Sequence, residues 1–349
     1  MNASKTRIAI YGAGAMGTVL GALLTKGGLK PDLITRNKSH VALLNSAGAT
    51  LVCEAENREI TTRVNGLLPE EMSGKYDVIF LMTKQRQNEE ILNFLLPYLA
   101  DDGVVCTTQN GLPEASVAAV VGNQRAYGAV TTYGATFLEA GKVALTSKLQ
   151  AMRMSVCGYE NDNAKSGLLV EILSYAGKAI DNAEFAEMNE NLQGARWSKL
   201  AINAAFSGLS VVTGCTFGVL AKRRKSRKVA LGILRECFAV AKALGVTLEK
   251  MQGHDMEKFL GGNSAFERLV AYLVLPFAMR KHKKLVSGML KDVENGKKCE
   301  IDYIDGVVSR MGKQAQVETP LCDRVVEITH GIENGLYETD YKNLDFFEG

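Results

Sequence analysis

The sequence predicts an α/β chain in two domains: an N-terminal parallel-sheet domain flanked by helices, then an all-helical C-terminal domain. Three observations carry this. Short apolar and β-branched runs alternate with helical or turn segments through the first half. A glycine-rich turn follows the first of those runs at once. From about residue 188 the strand patterns stop and apolar stretches of helical period take over. The expected division is 1–188 and 189–349.

The strand candidates, in order, are "RIAIYG", "DLITR", "TLVC", "DVIFLM", "GVVCTT", "AYGAVTT" and "MRMSVCG". The helical half opens with "NENLQGARWSKLAINAAFSGLSVVTG" and continues through periodic stretches at 226–244, 264–279, 300–314 and 320–334. The polar tail "YETDYKNLDFFEG" is expected to fray.

The bulk numbers restrict the function classes. At 349 residues, 46% hydrophobic and 23% charged, the chain can bury two sizeable cores. A net charge of +3 and the lack of any nucleic-acid-binding motif argue against a nucleic-acid partner. Seven widely spaced cysteines with no C-x-x-C read as reduced thiols, and the four histidines have no metal-ligand spacing, so no metal is expected. No apolar leader precedes Arg7, and the longest apolar run, "LVAYLVLPFAM", is short and contains Pro276. A cytoplasmic protein with no membrane contact is expected. The basic cluster "LAKRRKSRK" (220–228) has no interleaved aromatics and reads as a solvated loop and helix start. "FAMRKHKK" (277–284) fits either a carboxylate clamp or a helix end with cations at its negative pole.

"RIAIYGAGAMGTVLGALLTKGG" carries the cofactor signal: a strand, then Gly12-x-Gly14-x-x-Gly17, then a helix. Gly12 permits the tight turn, Gly14 lets backbone approach a pyrophosphate, and Gly17 lets helix and strand pack closely. Ala13, Ala15 and Met16 lie between them, where helix N-terminal amides face phosphate. The end of the second strand selects the dinucleotide. An NAD site would place Asp or Glu there. Here Asp32 starts the strand, and Arg36 and Lys38 close it. Two cations suit a 2′-phosphate, so NADPH is the expected cofactor. An ordinary basic loop is the competing reading.

Hydride transfer to a carbonyl also needs a proton source. Lys199 lies in "WSKLAINAAFSGLS", a stretch that otherwise reads as buried helix. Lys199, Asn203 and Ser207 are four apart, which stacks them into one polar stripe at helical pitch. Burial would lower the lysine pKa and fit it for proton transfer. The competing reading is a lysine that snorkels to solvent beside Trp197. Glu300, before Ile301, Tyr303 and Ile304, is a candidate carboxylate partner. With 38 acidic residues in the chain, spacing alone does not select it.

These residues bring out a resemblance. Gly12-x-Gly14-x-x-Gly17, "LMTKQRQ" with Lys84, "TQNG" with Asn110, "WSKLAIN" with Lys199 and Asn203, and "MLKDVENGKKCEIDYIDG" with Glu300 resemble the ketopantoate reductase (2-dehydropantoate 2-reductase) family over most of the chain. The resemblance implies a Rossmann domain followed by a helical domain, with the active site in the cleft between. It implies NADPH-dependent reduction of a 2-keto acid to a 2-hydroxy acid, with ketopantoate to pantoate, in pantothenate biosynthesis, as the named reaction. A homodimer is expected. Lys199 carries over as general acid and Glu300 as its acidic partner in substrate binding. Asn110 and Asn203 carry over as cofactor and substrate contacts, and Lys84 as a residue near the nicotinamide.

The chain departs from pantoate-making members at two positions. They usually have asparagine where this chain has Ser207, and Ser-Ser-Met-Leu where it reads Ser287-Gly288-Met289-Leu290. Ser287 is the nearest group that would replace the lost contact. Both departures touch the substrate and leave Lys199 and Glu300 in place. A reductase of another 2-keto acid, of the D-mandelate dehydrogenase type, is therefore one alternative. A dinucleotide-binding sensor without turnover is another.

Overall fold

The structure is a computed structural model and describes residues 2–250, 253–262 and 264–347. The chain divides into two compact units: Met1–Gln109 with Pro113–Leu192, and Gln193–Gly349 with the short segment Asn110–Leu112.

In chain order the first unit contains β1 (Ile8–Tyr11), α1 (Ala15–Lys26), β2 (Asp32–Ile34), α2 (Lys38–Ser46), β3 (Ala49–Cys53), β4 (Arg58–Thr62), β5 (Asn65–Leu67), β6 (Tyr76–Leu81), α3 (Asn88–Leu95), β7 (Leu99–Thr107), α4 (Glu114–Val121), β8 (Ala126–Thr131), β9 (Ala135–Glu139), β10 (Lys142–Leu145), β11 (Met154–Gly158), α5 (Ser166–Lys178) and β12 (Ala186–Met188). The main sheet runs β12-β11-β8-β7-β6-β1-β2-β5. All its pairings are parallel except β11 with β8.

Side-chain alternation explains why its central strands are apolar throughout. Ile8 and Ile10 of β1, with Val78 and Phe80 of β6, join the core built on α1 and α5. Ala9, Tyr11, Ile79 and Leu81 point the other way, into the core under α3 and α4. A sheet covered on both faces needs apolar residues at every position.

Two features of this unit differ from the sequence reading. "TLVC" (β3) is absent from the main sheet and belongs to a second, four-stranded sheet, β4-β3-β10-β9. That sheet packs on α1, whose residues Gly17–Leu24 are all buried. A strand run alone does not tell which sheet it joins, because pairing is non-local. The second strand also ends at Ile34, so Lys38 opens α2 instead of closing β2.

The second unit is helical: α6 (Leu192–Asn203), α7 (Leu209–Thr213), α8 (Phe217–Lys222), α9 (Arg224–Ala243), α10 (Met256–Leu260), α11 (Ala265–Ala278), α12 (Gly288–Glu294), α13 (Asp305–Ala315) and α14 (Pro320–Glu333). A single π turn, Ala204–Gly208, joins α6 to α7. The stretch expected to be helical from 300 starts later: Ile301–Tyr303 is a 3-10 turn and α13 begins at Asp305.

The tail expected to fray is packed as far as Phe347, and its last two residues lie outside the described ones. Residues Tyr341–Phe347 form 3-10 turns with Asn343 and Leu344 buried. Asn343 Nδ2 donates to Val212 O at 2.9 Å and to Glu338 O at 2.8 Å. The basic cluster is also less solvated than its composition suggests. Arg223 stacks on Tyr341 and Arg227 on Tyr272, at 4.6 and 4.3 Å from the ring centroids. Those aromatics come from distant sequence, so local inspection misses them.

Candidate active site

The glycine turn after β1 has the geometry its spacing demands. Gly12 has φ +104°, and a Cβ there would lie 2.6 Å from Thr83 N. A Cβ on Gly17 would lie 2.5 Å from Gly12 O, so α1 seats directly against the turn. Gly14 is exposed, and a Cβ on it would meet nothing within 4 Å. The turn is tied down by Gly12 and Ala13 amides donating to Ile34 O at 3.0 and 2.9 Å. α1 starts at Ala15, so the first-turn amides of Ala15, Met16 and Gly17 have no carbonyl one turn back to bond. An open glycine before a helix N-terminus is a cradle for a pyrophosphate, and these residues fit a dinucleotide.

The turn is braced from behind by His40, which is fully buried. Gly141 N donates to its Nδ1 at 2.8 Å, so the ring proton sits on Nε2. Nε2 donates to Thr18 Oγ1 at 3.0 Å, and Thr18 Oγ1 donates to Ala13 O at 3.4 Å. Burial lowers the His40 pKa.

Arg36 is exposed two residues past β2, and its Nη2 donates to Gln87 Oε1 at 3.2 Å. Lys38 is exposed at the start of α2. Asp32, at the far end of the strand, accepts from Tyr76 Oη and from Asn65 Nδ2, both at 2.7 Å. Its role is structural. Lys84 follows β6 and Asn110 follows β7, beyond the C-terminal ends of adjacent parallel strands, and both are exposed. The loop bearing Lys84 is held by a buried amide pair that sequence reasoning did not single out. Gln109 Nε2 donates to Asn88 Oδ1 at 2.7 Å and to Thr83 O at 2.9 Å. The signal was faint: Gln109 precedes Asn110 in "TQNG", but Asn88 lies in a different segment.

In the helical unit, Lys199, Asn203 and Ser207 are half-buried among mostly buried neighbours on the α6–π–α7 helix. The π turn closes over five residues, not four, so Ser207 is displaced from the straight stripe the sequence predicts. Lys199 is partly withdrawn from solvent, packed beside the buried Ser198 and Leu200. That desolvation, helped by the nearby Arg196 guanidinium, pushes its pKa down to about 7. Arg196 is itself buried, one turn earlier on the same helix, and was not flagged from sequence. The i, i+3 spacing to Lys199 was its signal.

Ser287 is buried and caps α12: Met289 N donates to its Oγ at 3.1 Å. Its hydroxyl oxygen is thus engaged as an acceptor. A Cβ on Gly288 would meet nothing within 4 Å, so open space stands at this position. α12 packs on the π turn that carries Ser207. Glu300 is half-buried before the Ile301–Tyr303 turn; that turn and the π turn both pack on α14. Among the described residues no cluster of potential metal ligands occurs, and no helix is long and apolar enough to cross a membrane.

Two family models match the chain: ketopantoate reductase PanE/ApbA over residues 8–156, and its C-terminal counterpart over residues 191–333. A 2-dehydropantoate 2-reductase of Lactococcus lactis is 28% identical, covering 94% of this chain and 98% of the relative. One from Archaeoglobus fulgidus is 24% identical, covering 95% and 99%. Among solved structures, a 2-dehydropantoate 2-reductase of Geobacter metallireducens superposes with TM-score 0.76 at 25% identity, covering 93% and 99%. D-mandelate dehydrogenase in complex with NADH and anilino(oxo)acetate superposes with TM-score 0.78 at 23% identity, covering 95% and 99%.

Proposed function

The chain belongs to the ketopantoate reductase family of oxidoreductases acting on CH–OH groups, and from that premise we propose that it reduces a 2-keto acid to a 2-hydroxy acid with NADPH. The substrate we assign is 2-dehydropantoate, giving pantoate in pantothenate biosynthesis. A cytoplasmic homodimer is the proposed form.

The observation that carries the proposal is Lys199: a half-buried lysine whose desolvation pushes its pKa down to about 7, on a helix with the polar Asn203 and Ser207. A general acid works best with its pKa near the working pH. NADPH held by the glycine turn would supply the hydride that the C2 carbonyl carbon accepts. Lys199 gives its proton to the carbonyl oxygen as negative charge develops there, and afterwards regains one from water. Asn203 donates a hydrogen bond to the substrate, and Glu300 holds and orients it beside Lys199. Gly12, Ala13, Gly14, Ala15, Met16 and Gly17 cradle the pyrophosphate. Lys84 and Asn110 contact the cofactor near its nicotinamide. Arg36 and Lys38 meet the 2′-phosphate, a reading supported by their exposure.

A second reading keeps this chemistry and changes the acid. The open space at Gly288 favours it, because a serine hydroxyl is missing there. A panel of 2-keto acids assayed by NADPH oxidation tests both. No turnover with any of them would leave only dinucleotide binding.

A further inference from the structure

We propose that the outer face of α11 is the surface through which two copies of this chain pair, with their α11 helices antiparallel about a twofold axis. This rests on the homodimer reading above and names its contact surface.

α11 has two apolar faces. Ala271 and Leu275, with Met279 just beyond the helix, point inward and are buried in the helical core. On the opposite face Phe266, Leu269, Leu273 and Phe277 follow a 3-4-4 spacing and are 74%, 55%, 55% and 77% exposed. A surface helix usually carries charge on its solvent side. Here residues 269–278 contain no charged side chain at all. Large apolar side chains without charge are the composition of an interface core, and aromatic residues are its usual anchors. Phe259 of α10, which packs on α11, extends the patch and is 47% exposed.

The order of these residues selects the partner. A twofold interface uses one patch twice, so the patch must match itself reversed. Phe-x-x-Leu-x-x-x-Leu-x-x-x-Phe does so to within one residue. Laid antiparallel, Phe266 meets the partner's Phe277, and Leu269 meets the partner's Leu273.

Sedimentation of the full chain over a range of concentrations tests the proposal, with Leu269→Glu/Leu273→Glu and, as a milder change, Phe266→Ser/Phe277→Ser. The wild type should be dimeric. Both variants should associate at least about 100-fold more weakly, with helix content by circular dichroism and turnover per subunit unchanged. Variants that stay dimeric would overturn this surface and leave the homodimer reading intact. A monomeric wild type would overturn both. A monomeric wild type that binds phospholipid vesicles, with binding lost in both variants, would reassign the face to a lipid surface.

Discussion

Gly208 lacks a side chain where Asp305 needs the room: a Cβ on Gly208 would stand 2.5 Å from Asp305 Oδ2 and 2.8 Å from Val325 Cγ1. Gly208 closes the π turn of the lysine helix, and Asp305 begins α13. The Asp305 side chain is fully buried, and neither carboxyl oxygen has a hydrogen-bond partner among the described residues. Burial raises its pKa well above the usual carboxylate range, the Glu236 charge adds to this, and its own backbone amide works against it. A buried carboxyl in that position holds its proton.

Asp305 should therefore make stability depend on pH. Its folded pKa lies above its unfolded one, so between the two the folded chain holds the extra proton. Its contribution is fully present below the unfolded pKa of 3.8 and declines as pH rises toward the folded value. Asp305→Asn should remove that decline and be the more stable protein at alkaline pH. Urea midpoints of both proteins from pH 5 to 9 measure it; parallel curves would refute a neutral Asp305. Gly208→Ala should cost about 1–3 kcal/mol by overpacking.

His40 has the opposite sign. Burial lowers its folded pKa below 6.5, so the unfolded chain takes up the proton first. Stability should fall as pH drops below 6.5 toward the folded value. Protonation would also put a donor against the Gly141 amide that now bonds Nδ1. Melting temperatures of wild type and His40→Gln between pH 7.5 and 5 check this. An equal acid loss in both would show that His40 is not responsible.

Lys199→Ala should lower kcat by about 10²–10⁴-fold, the range for losing a general acid, while NADPH affinity barely changes. Because its pKa is about 7, the wild-type kcat/KM for reduction should fall on the alkaline side with an apparent pKa near that value. Turnover retained within about threefold in the variant would reduce Lys199 to a packing residue.

Arg36→Asp should weaken NADPH binding much more than NADH binding, since a charge-assisted phosphate contact contributes about 1.5–3 kcal/mol. Titration with both cofactors measures it. An unchanged preference would sink the 2′-phosphate assignment.

Under the proposed function, substrate choice should turn on Gly288. A dedicated hydroxyl site should favour ketopantoate over 2-ketoisovalerate by more than about 10³ in kcat/KM. A ratio near one, with better turnover of a larger keto acid, would move the chain to the second reading. Gly288→Ser projects into open space, so it should fold normally and raise the ratio in favour of ketopantoate.

What the sequence by itself determined is the chemistry written in short-range patterns. The turn after β1, the doubly buried strands and the lysine helix depend on local backbone sterics and periodicity, which neighbouring residues encode. The sequence also determined the family, because Lys199, Asn203 and Glu300 lie in local motifs. Tertiary structure decided what depends on distant partners. It sent β3 to a second sheet, bent the polar stripe with a π turn at Ser207, and docked a polar tail under Val212. It also desolvated Lys199 near Arg196 and left both Asp305 carboxyl oxygens without a hydrogen-bond partner among the described residues. Proton affinity is set by desolvation and nearby charge, and both are properties of packing that no stretch of sequence carries alone.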